Sequence, residues 1–251
     1  VKKMEKIYAK PRLIPDFSNG WCPGCGHGTV HKMIAEALDT YKLEGESILV
    51  SPVGCGTLNT ATGWFNCNSI ACAHGRASAT ATAIKRCLKD KNLVFAYQGD
   101  GDLASIGMAE TIHSANRGEN ITVIFINNCN FGMTGGQMAP TTLLNQKSTT
   151  SPQGRNLEEH GAPIQVAEML ATLKAPKYVA RVSLHDAKNV LKTRQAIMKA
   201  FELQSRGVGY TFVEILSPCP TNWKMTPVQA MKYIEETVLK TFPLGEFKAV
   251  E

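Results

Sequence analysis

With 251 residues, 43% of them hydrophobic, the chain can bury one substantial core, and a single domain spanning 1–251 is expected, with an N-terminal cysteine knuckle and a C-terminal extension. Its net charge of +6 is spread along the sequence apart from Lys2, Lys3, Lys6, Lys10 and Arg12; it reads as a solvated face and does not imply nucleic acid. No apolar run approaches the roughly 20 residues that span a bilayer, and residues 1–12 lead into no apolar stretch of the signal-peptide kind, so the expectation is a cytoplasmic protein without a membrane segment.

In chain order, Val30, Met33, Ile34, Ala37 and Leu38 share one face and predict a helix over 29–41. A strand follows at 47–53, a helix at 77–88, a strand at 93–98, a helix at 103–116 and a strand at 121–127. After 129–163, helices are predicted at 164–173, 187–205 and 227–240, with strands at 178–182 and 210–216 between them. Such alternation predicts an α/β fold, a mostly parallel sheet with helices on both faces. The segment 129–163 is rich in Gly, Thr, Ser, Pro and Asn and too long for an ordinary connection, which marks it as functional or mobile.

The strand at 93–98 runs into Gly99-Asp100-Gly101-Asp102 and then a helix. A strand, a glycine-rich turn and a helix N-terminus suit an anion, because free backbone N–H groups point at it and glycine admits close approach. Gly-Asp-Gly alone is equally an ordinary turn. The next strand ends in Asn127-Asn128, and a parallel strand-helix-strand unit brings both strand ends to one edge. Carboxylate and amide oxygens there suit Mg²⁺, which takes hard oxygen ligands together with phosphate oxygens.

Here the sequence resembles the thiamine diphosphate enzymes, whose motif is Gly-Asp-Gly followed at this distance by an asparagine pair. The resemblance implies that Asp100, the Asn128 side chain and the Asn130 backbone carbonyl ligate Mg²⁺, with Gly99, Gly101 and Asp102 beside the cofactor.

Eight cysteines in a long, core-rich chain favour metal or cluster ligation over a disulfide framework. Trp21-Cys22-Pro23-Gly24-Cys25-Gly26 is a Cys-x-x-Cys knuckle before a helix, which alone serves zinc, redox or iron-sulfur chemistry. Cys55, in Val53-Gly54-Cys55-Gly56, and Cys219, in Pro218-Cys219-Pro220, follow predicted strands and lie on the same edge as the diphosphate motif. The pattern resembles the β subunits of 2-oxoacid:ferredoxin oxidoreductases over nearly the whole chain, including Ala73-His74-Gly75-Arg76 and Gly132-Met133-Thr134-Gly135-Gly136-Gln137. It implies a four-iron four-sulfur cluster on Cys22, Cys25, Cys55 and Cys219. It also implies a cofactor pocket lined by Gly54, Cys55, His74, Gly75, Arg76, Phe131, Gly132, Met133 and Thr134. The remaining Cys67, Cys72, Cys87 and Cys129 read as small buried apolar side chains.

The resemblance implies oxidative decarboxylation of a 2-oxoacid to acyl-coenzyme A and CO₂, with electrons leaving through the cluster to ferredoxin. The glutamate that activates the thiamine ring is expected on an α subunit carrying the pyrimidine-binding domain, with γ and δ subunits as further partners; no residue here is assigned as the base. Family members acting on 2-oxoglutarate often carry a lysine where this chain has Gly135, so a branched-chain acid such as 2-oxoisovalerate is favoured over 2-oxoglutarate. Two rivals remain: a non-redox thiamine diphosphate decarboxylase or synthase subunit with structural zinc, and a zinc-dependent binding module.

Overall fold

Five apolar runs long enough to be buried on both sides form the centre of one sheet, as the computed structural model shows for the described residues 9–16, 18–43, 45–58, 65–88 and 92–250. The strands are β1 (Ser47–Ser51), β2 (Asn68–Ala71), β3 (Leu93–Gly99), β4 (Thr122–Asn127), β5 (Tyr178–Ser183), β6 (Thr211–Leu216) and β7 (Gly245–Ala249). Their order is β2-β1-β3-β4-β6-β5-β7, and every pairing is parallel except β5 with β7. Alternate residues face opposite layers. Phe95, Tyr97, Ile124, Ile126, Val213 and Ile215 join one core, while Val94, Ala96, Val123, Phe125 and Phe212 join the other.

The first core is covered by α1 (His27–Thr40) and α6 (Ala187–Ser205), which pack on each other and are joined by a two-pronged pair of Arg194 with Glu36 at 2.7 and 2.8 Å. Over the second lie α2 (Ala77–Cys87), α3 (Met108–Asn116) and α5 (Val166–Ala171). Helix α6 starts where Asp186 accepts from the Asn189 N–H at 2.7 Å. Helices α4 (Leu157–His160), α7 (Pro220–Trp223), α8 (Pro227–Tyr233) and α9 (Leu239–Thr241) complete the chain.

The five predicted strands agree with β1, β3, β4, β5 and β6. β1 stops at Ser51 because Pro52 lacks the N–H that would continue the ladder. The predicted helix over 103–116 is two pieces, a wide π-type turn over Gly101–Ile106 and then α3, broken at Gly107. Of the basic N-terminal cluster, Lys2, Lys3 and Lys6 lie outside the described residues; Lys10 and Arg12 pair with Asp16 and Asp39.

The long segment after β4 is pinned by one buried side chain. The Arg155 guanidinium donates to the carbonyls of Ala139, Pro140, Thr142, His160, Gly161 and Ala162 at 2.7 to 3.2 Å. Charged donors to buried carbonyls contribute about 1.5–3 kcal/mol each. Arg155→Ala is therefore expected to destabilise by about 3 kcal/mol or more and to open 138–162 to limited proteolysis. An unchanged digestion pattern and denaturation midpoint would refute the clamp.

Candidate active site

The chain turns from β1 toward β2 but from β3 toward β4, on opposite sides, so the loops after β1 and β3 diverge at the strands' C-terminal ends. Parallel α/β sheets open a binding crevice at such a point. A cleft of about 110 Å³ lies there, lined by His27, Val53, Gly54, Cys55, Gly56, His74, Gly99, Asp100, Gly101, Asp102, Asn128, Asn130, Phe131, Gly132, Met133 and Thr134.

Asp100 and Asn128 meet because β3 and β4 pair with Gly99 opposite Ile126. One Asp100 carboxylate oxygen accepts from the Asn128 N–H at 3.0 Å; the other accepts from the Thr141 hydroxyl. Burial pushes this carboxyl up to about 7, against the hydrogen bonds from Thr141 and Asn128 that lower it. Next to it the Asn128 Oδ1 is buried and has no hydrogen-bond partner. A buried carboxylate and an amide oxygen lacking a donor form an oxygen set that fits Mg²⁺. The turn beyond is shaped by Cys129, whose φ of 57° is unusual for a side-chain-bearing residue. Its N–H is held at 3.2 Å by Asn127 Oδ1, and the Asn130 amide donates to the Asn128 carbonyl at 2.7 Å. Gly101 is covered by the Phe131 ring, which would collide with any Cβ there.

Asp102 has a different role from its neighbour. One oxygen accepts from the Gly75 N–H at 2.9 Å and the Val53 N–H at 3.2 Å and meets His74 Nδ1 at 2.8 Å; the other accepts from the Gln98 amide at 2.6 Å. It ties three chain segments together at the cleft wall, and neither carboxylate oxygen lacks a protein partner. Gly75, expected in the lining, is not among the residues that line the cleft and reaches it only through its N–H to Asp102. Arg76, expected in the lining, turns instead to Glu110 on α3 and forms an ion pair.

The four cysteines of interest come from three places. Cys22 and Cys25 form a turn closed by the Cys25 N–H to the Cys22 carbonyl at 3.1 Å. Trp21 Nε1 donates to the Cys55 carbonyl at 2.8 Å, fastening the knuckle to the loop after β1. Cys219 ends the run after β6, at the start of α7. Burial pushes the Cys25 thiol up to about 12 and the Cys55 thiol to about 11, and the other three of the four cysteines add to the Cys25 shift. Thiols gathered in one poorly solvated place ionise only when a cation joins them. All four are free, and among the described residues no three His, Cys, Asp or Glu side chains converge on a single ion. Four free thiols that raise one another's pKa are a donor set of the kind that suits an iron-sulfur cluster.

Of the other cysteines only Cys129 is buried; Cys67 and Cys72 are half-buried and Cys87 is exposed, which corrects the expectation of four apolar core residues. Cys87 closes α2 on its solvent side.

Several site residues had no sequence assignment. Beneath the knuckle His27 Nδ1 meets the Tyr97 hydroxyl at 2.6 Å, and burial holds His27 and His31 neutral, at about 3 and about 4. Thr141 on Asp100, Glu214 on Asn127 (2.7 Å), and Asn222 and Trp223 on the Asn128–Asn130 turn came from distant segments. Of these, only Asn222 and Trp223 lie close to a residue that the sequence marks, Cys219.

The family described as thiamine pyrophosphate enzyme, C-terminal TPP binding domain, matches residues 52–215. The chain is 47% identical over 254 residues to the ketoisovalerate oxidoreductase subunit VorA of Methanothermobacter thermautotrophicus, covering 97% of this chain and 53% of that subunit. It is 36% identical over 223 residues to the 2-oxoglutarate synthase subunit KorB of Methanocaldococcus jannaschii, covering 86% and 77%. In fold it resembles the 2-oxoglutarate:ferredoxin oxidoreductase from Magnetococcus marinus, with a TM-score of 0.77 at 23% identity over 100% of this chain and 87% of that one. The chain spans about half the length of the ketoisovalerate oxidoreductase subunits it matches, 53% and 47%. It belongs to the thiamine pyrophosphate enzyme family, among the β subunits of 2-oxoacid:ferredoxin oxidoreductases.

Proposed function

We propose that this chain supplies half of the active site of a 2-oxoacid:ferredoxin oxidoreductase. Asp100, the Asn128 side chain and the Asn130 carbonyl would hold Mg²⁺ and through it the diphosphate of thiamine diphosphate, while Cys22, Cys25, Cys55 and Cys219 would hold a four-iron four-sulfur cluster. The observation that carries this reading is their adjacency: the Cys219 Sγ lies 3.9 Å from Asn130 Oδ1, and the Cys55 and Cys219 thiols, pushed up chiefly by burial, also feel the Asp100 carboxylate. When bound, thiamine diphosphate supplies the carbanion chemistry that releases CO₂ from a 2-oxoacid, and the cluster supplies one-electron acceptance toward ferredoxin. The chain's own residues orient and shield: Asp102 fixes the wall, and Phe131 and Met133 line the crevice with apolar surface.

A cleft of about 110 Å³ is far below the roughly 300–1,000 Å³ of a site that encloses a cofactor-sized ligand. This supports a partner that closes it, an α subunit bearing the activating glutamate, with γ and δ subunits and coenzyme A as further participants. Among the described residues the lining contains no Lys or Arg. Among these described lining residues a distal carboxylate finds no cation, which favours a branched-chain 2-oxoacid such as 2-oxoisovalerate over 2-oxoglutarate.

The test is an anaerobically purified complex assayed for iron, acid-labile sulfide and coenzyme A-dependent ferredoxin reduction. A brown protein with a higher kcat/KM on 2-oxoisovalerate than on 2-oxoglutarate is expected, with no turnover from this chain alone. A colourless zinc protein, or full activity without a partner, would refute the proposal.

A further inference from the structure

Helix α7 lies between the cluster cysteines and the metal-diphosphate turn, and one amide on it reaches both. Asn222 Nδ2 is 2.8 Å from the Gly132 carbonyl, 3.2 Å from Asn130 Oδ1 and 3.5 Å from Cys219 Sγ. Its neighbour Trp223 donates from Nε1 to the Asn128 carbonyl at 3.2 Å but touches no cysteine sulfur among the contacts of this turn. The fit is close. A Cβ at Gly136, where φ is 81°, would come within 3.2 Å of the Asn222 side chain, so the loop from Phe131 to Gln137 approaches this amide only through a glycine.

We propose that Asn222 is a positioning residue that joins the Cys219 sulfur to the Asn130–Gly132 turn, so that one amide sets both the cluster's reduction potential and the grip on the magnesium diphosphate. This rests on the reading that Cys219 ligates a cluster and Asn130 a metal. An N–H aimed at a ligating sulfur stabilises the extra negative charge of the reduced cluster and so raises its potential. The bond strengthens when the sulfur is a thiolate, because charge-assisted hydrogen bonds are the stronger ones. The amide's contacts to Gly132 and Asn130 hold the turn whose backbone presents the third metal ligand. A change at either end is thereby felt at the other through a single side chain.

The test uses the assembled complex, purified anaerobically, with two readouts: the cluster midpoint from a redox titration followed by electron paramagnetic resonance, and the Kd for thiamine diphosphate at saturating Mg²⁺. Asn222→Ala is expected to keep the wild-type iron content, shift the midpoint to a more negative value and weaken cofactor binding about tenfold. Trp223→Phe is expected to weaken binding while leaving the midpoint in place. Should Asn222→Ala lose its cluster, Asn222→Asp keeps the side chain's size and is expected to move the midpoint further negative, because a carboxylate replaces the donor. An unshifted midpoint in Asn222→Ala, or in Asn222→Asp where the first variant loses its cluster, overturns the inference alone. Equal shifts in the Asn222 and Trp223 variants overturn it as well. A wild-type complex that holds iron in no cluster overturns the underlying reading with it.

Discussion

Glu214→Ala is expected to destabilise the chain by about 3–5 kcal/mol and to lower its Tm by roughly 6–20 °C. Glu214 and Arg181 are both fully buried on neighbouring strands β6 and β5, with the guanidinium Nε 2.9 Å from the carboxylate. Arg181 is also gripped by Glu168 at 2.5 and 2.7 Å and lies 5.1 Å from the rings of Phe242 and Phe247. Removing Glu214 leaves a buried cation with the partly exposed Glu168 and the Pro243 carbonyl, which is costly because the desolvation of a charge is no longer fully offset. The double change Arg181→Met with Glu214→Leu removes both charges and is expected to cost less than the single one. A double variant as damaged as Glu214→Ala in chemical denaturation would show that packing, and not charge, dominates at this position. The same carboxylate holds Asn127 at 2.7 Å, and Asn127 holds Cys129, so the single variant also loosens the turn that presents Asn128 and Asn130.

The elements most legible in the sequence were those whose signal is local. Runs such as Leu93-Val-Phe-Ala-Tyr-Gln98 announce a central parallel strand because both of their faces are buried, and the tight Cys22-Pro23-Gly24-Cys25 spacing announces the turn that the Cys25 N–H closes onto the Cys22 carbonyl. Edge strands carry no such signal. In β2, Asn68-Ser-Ile-Ala71 is exposed throughout, and β7 is the charged Gly245-Glu-Phe-Lys-Ala249; both are strands only because a neighbour offers its backbone. The site divided in the same way. Gly-Asp-Gly and Asn-Asn were visible as motifs, but Thr141, Glu214 and Asn222 act from 41, 87 and 92 residues away from their partners Asp100, Asn127 and Asn130. Arg76 shows a related limit: His74, two residues before it, lines the cleft, yet Glu110 on another helix pairs with the Arg76 side chain.

Asp100→Asn is expected to weaken thiamine diphosphate and Mg²⁺ binding together by about a hundredfold or more, since a lost buried charge partner costs about 3–5 kcal/mol and each 1.4 kcal/mol is tenfold. The substitution is close in shape, and an amide oxygen can still accept from the Asn128 N–H. Stability should respond in the opposite direction. In the metal-free protein burial raises this carboxyl from 3.8 to about 7, so the folded state binds its proton more tightly than the unfolded state does. That difference penalises folding progressively as the pH rises from about 4 to about 7, and the penalty stays constant above that. Metal-free Asp100→Asn is therefore expected to match the wild type near pH 4 and to exceed it in denaturation midpoint at pH 8. Mg²⁺ with thiamine diphosphate at a concentration that saturates the wild type should stabilise it far more than the variant, because only there would the ligand meet a carboxylate. Equal ligand stabilisation of both proteins would remove Asp100 from the metal site, and a variant less stable at pH 8 would show that the carboxylate serves the fold.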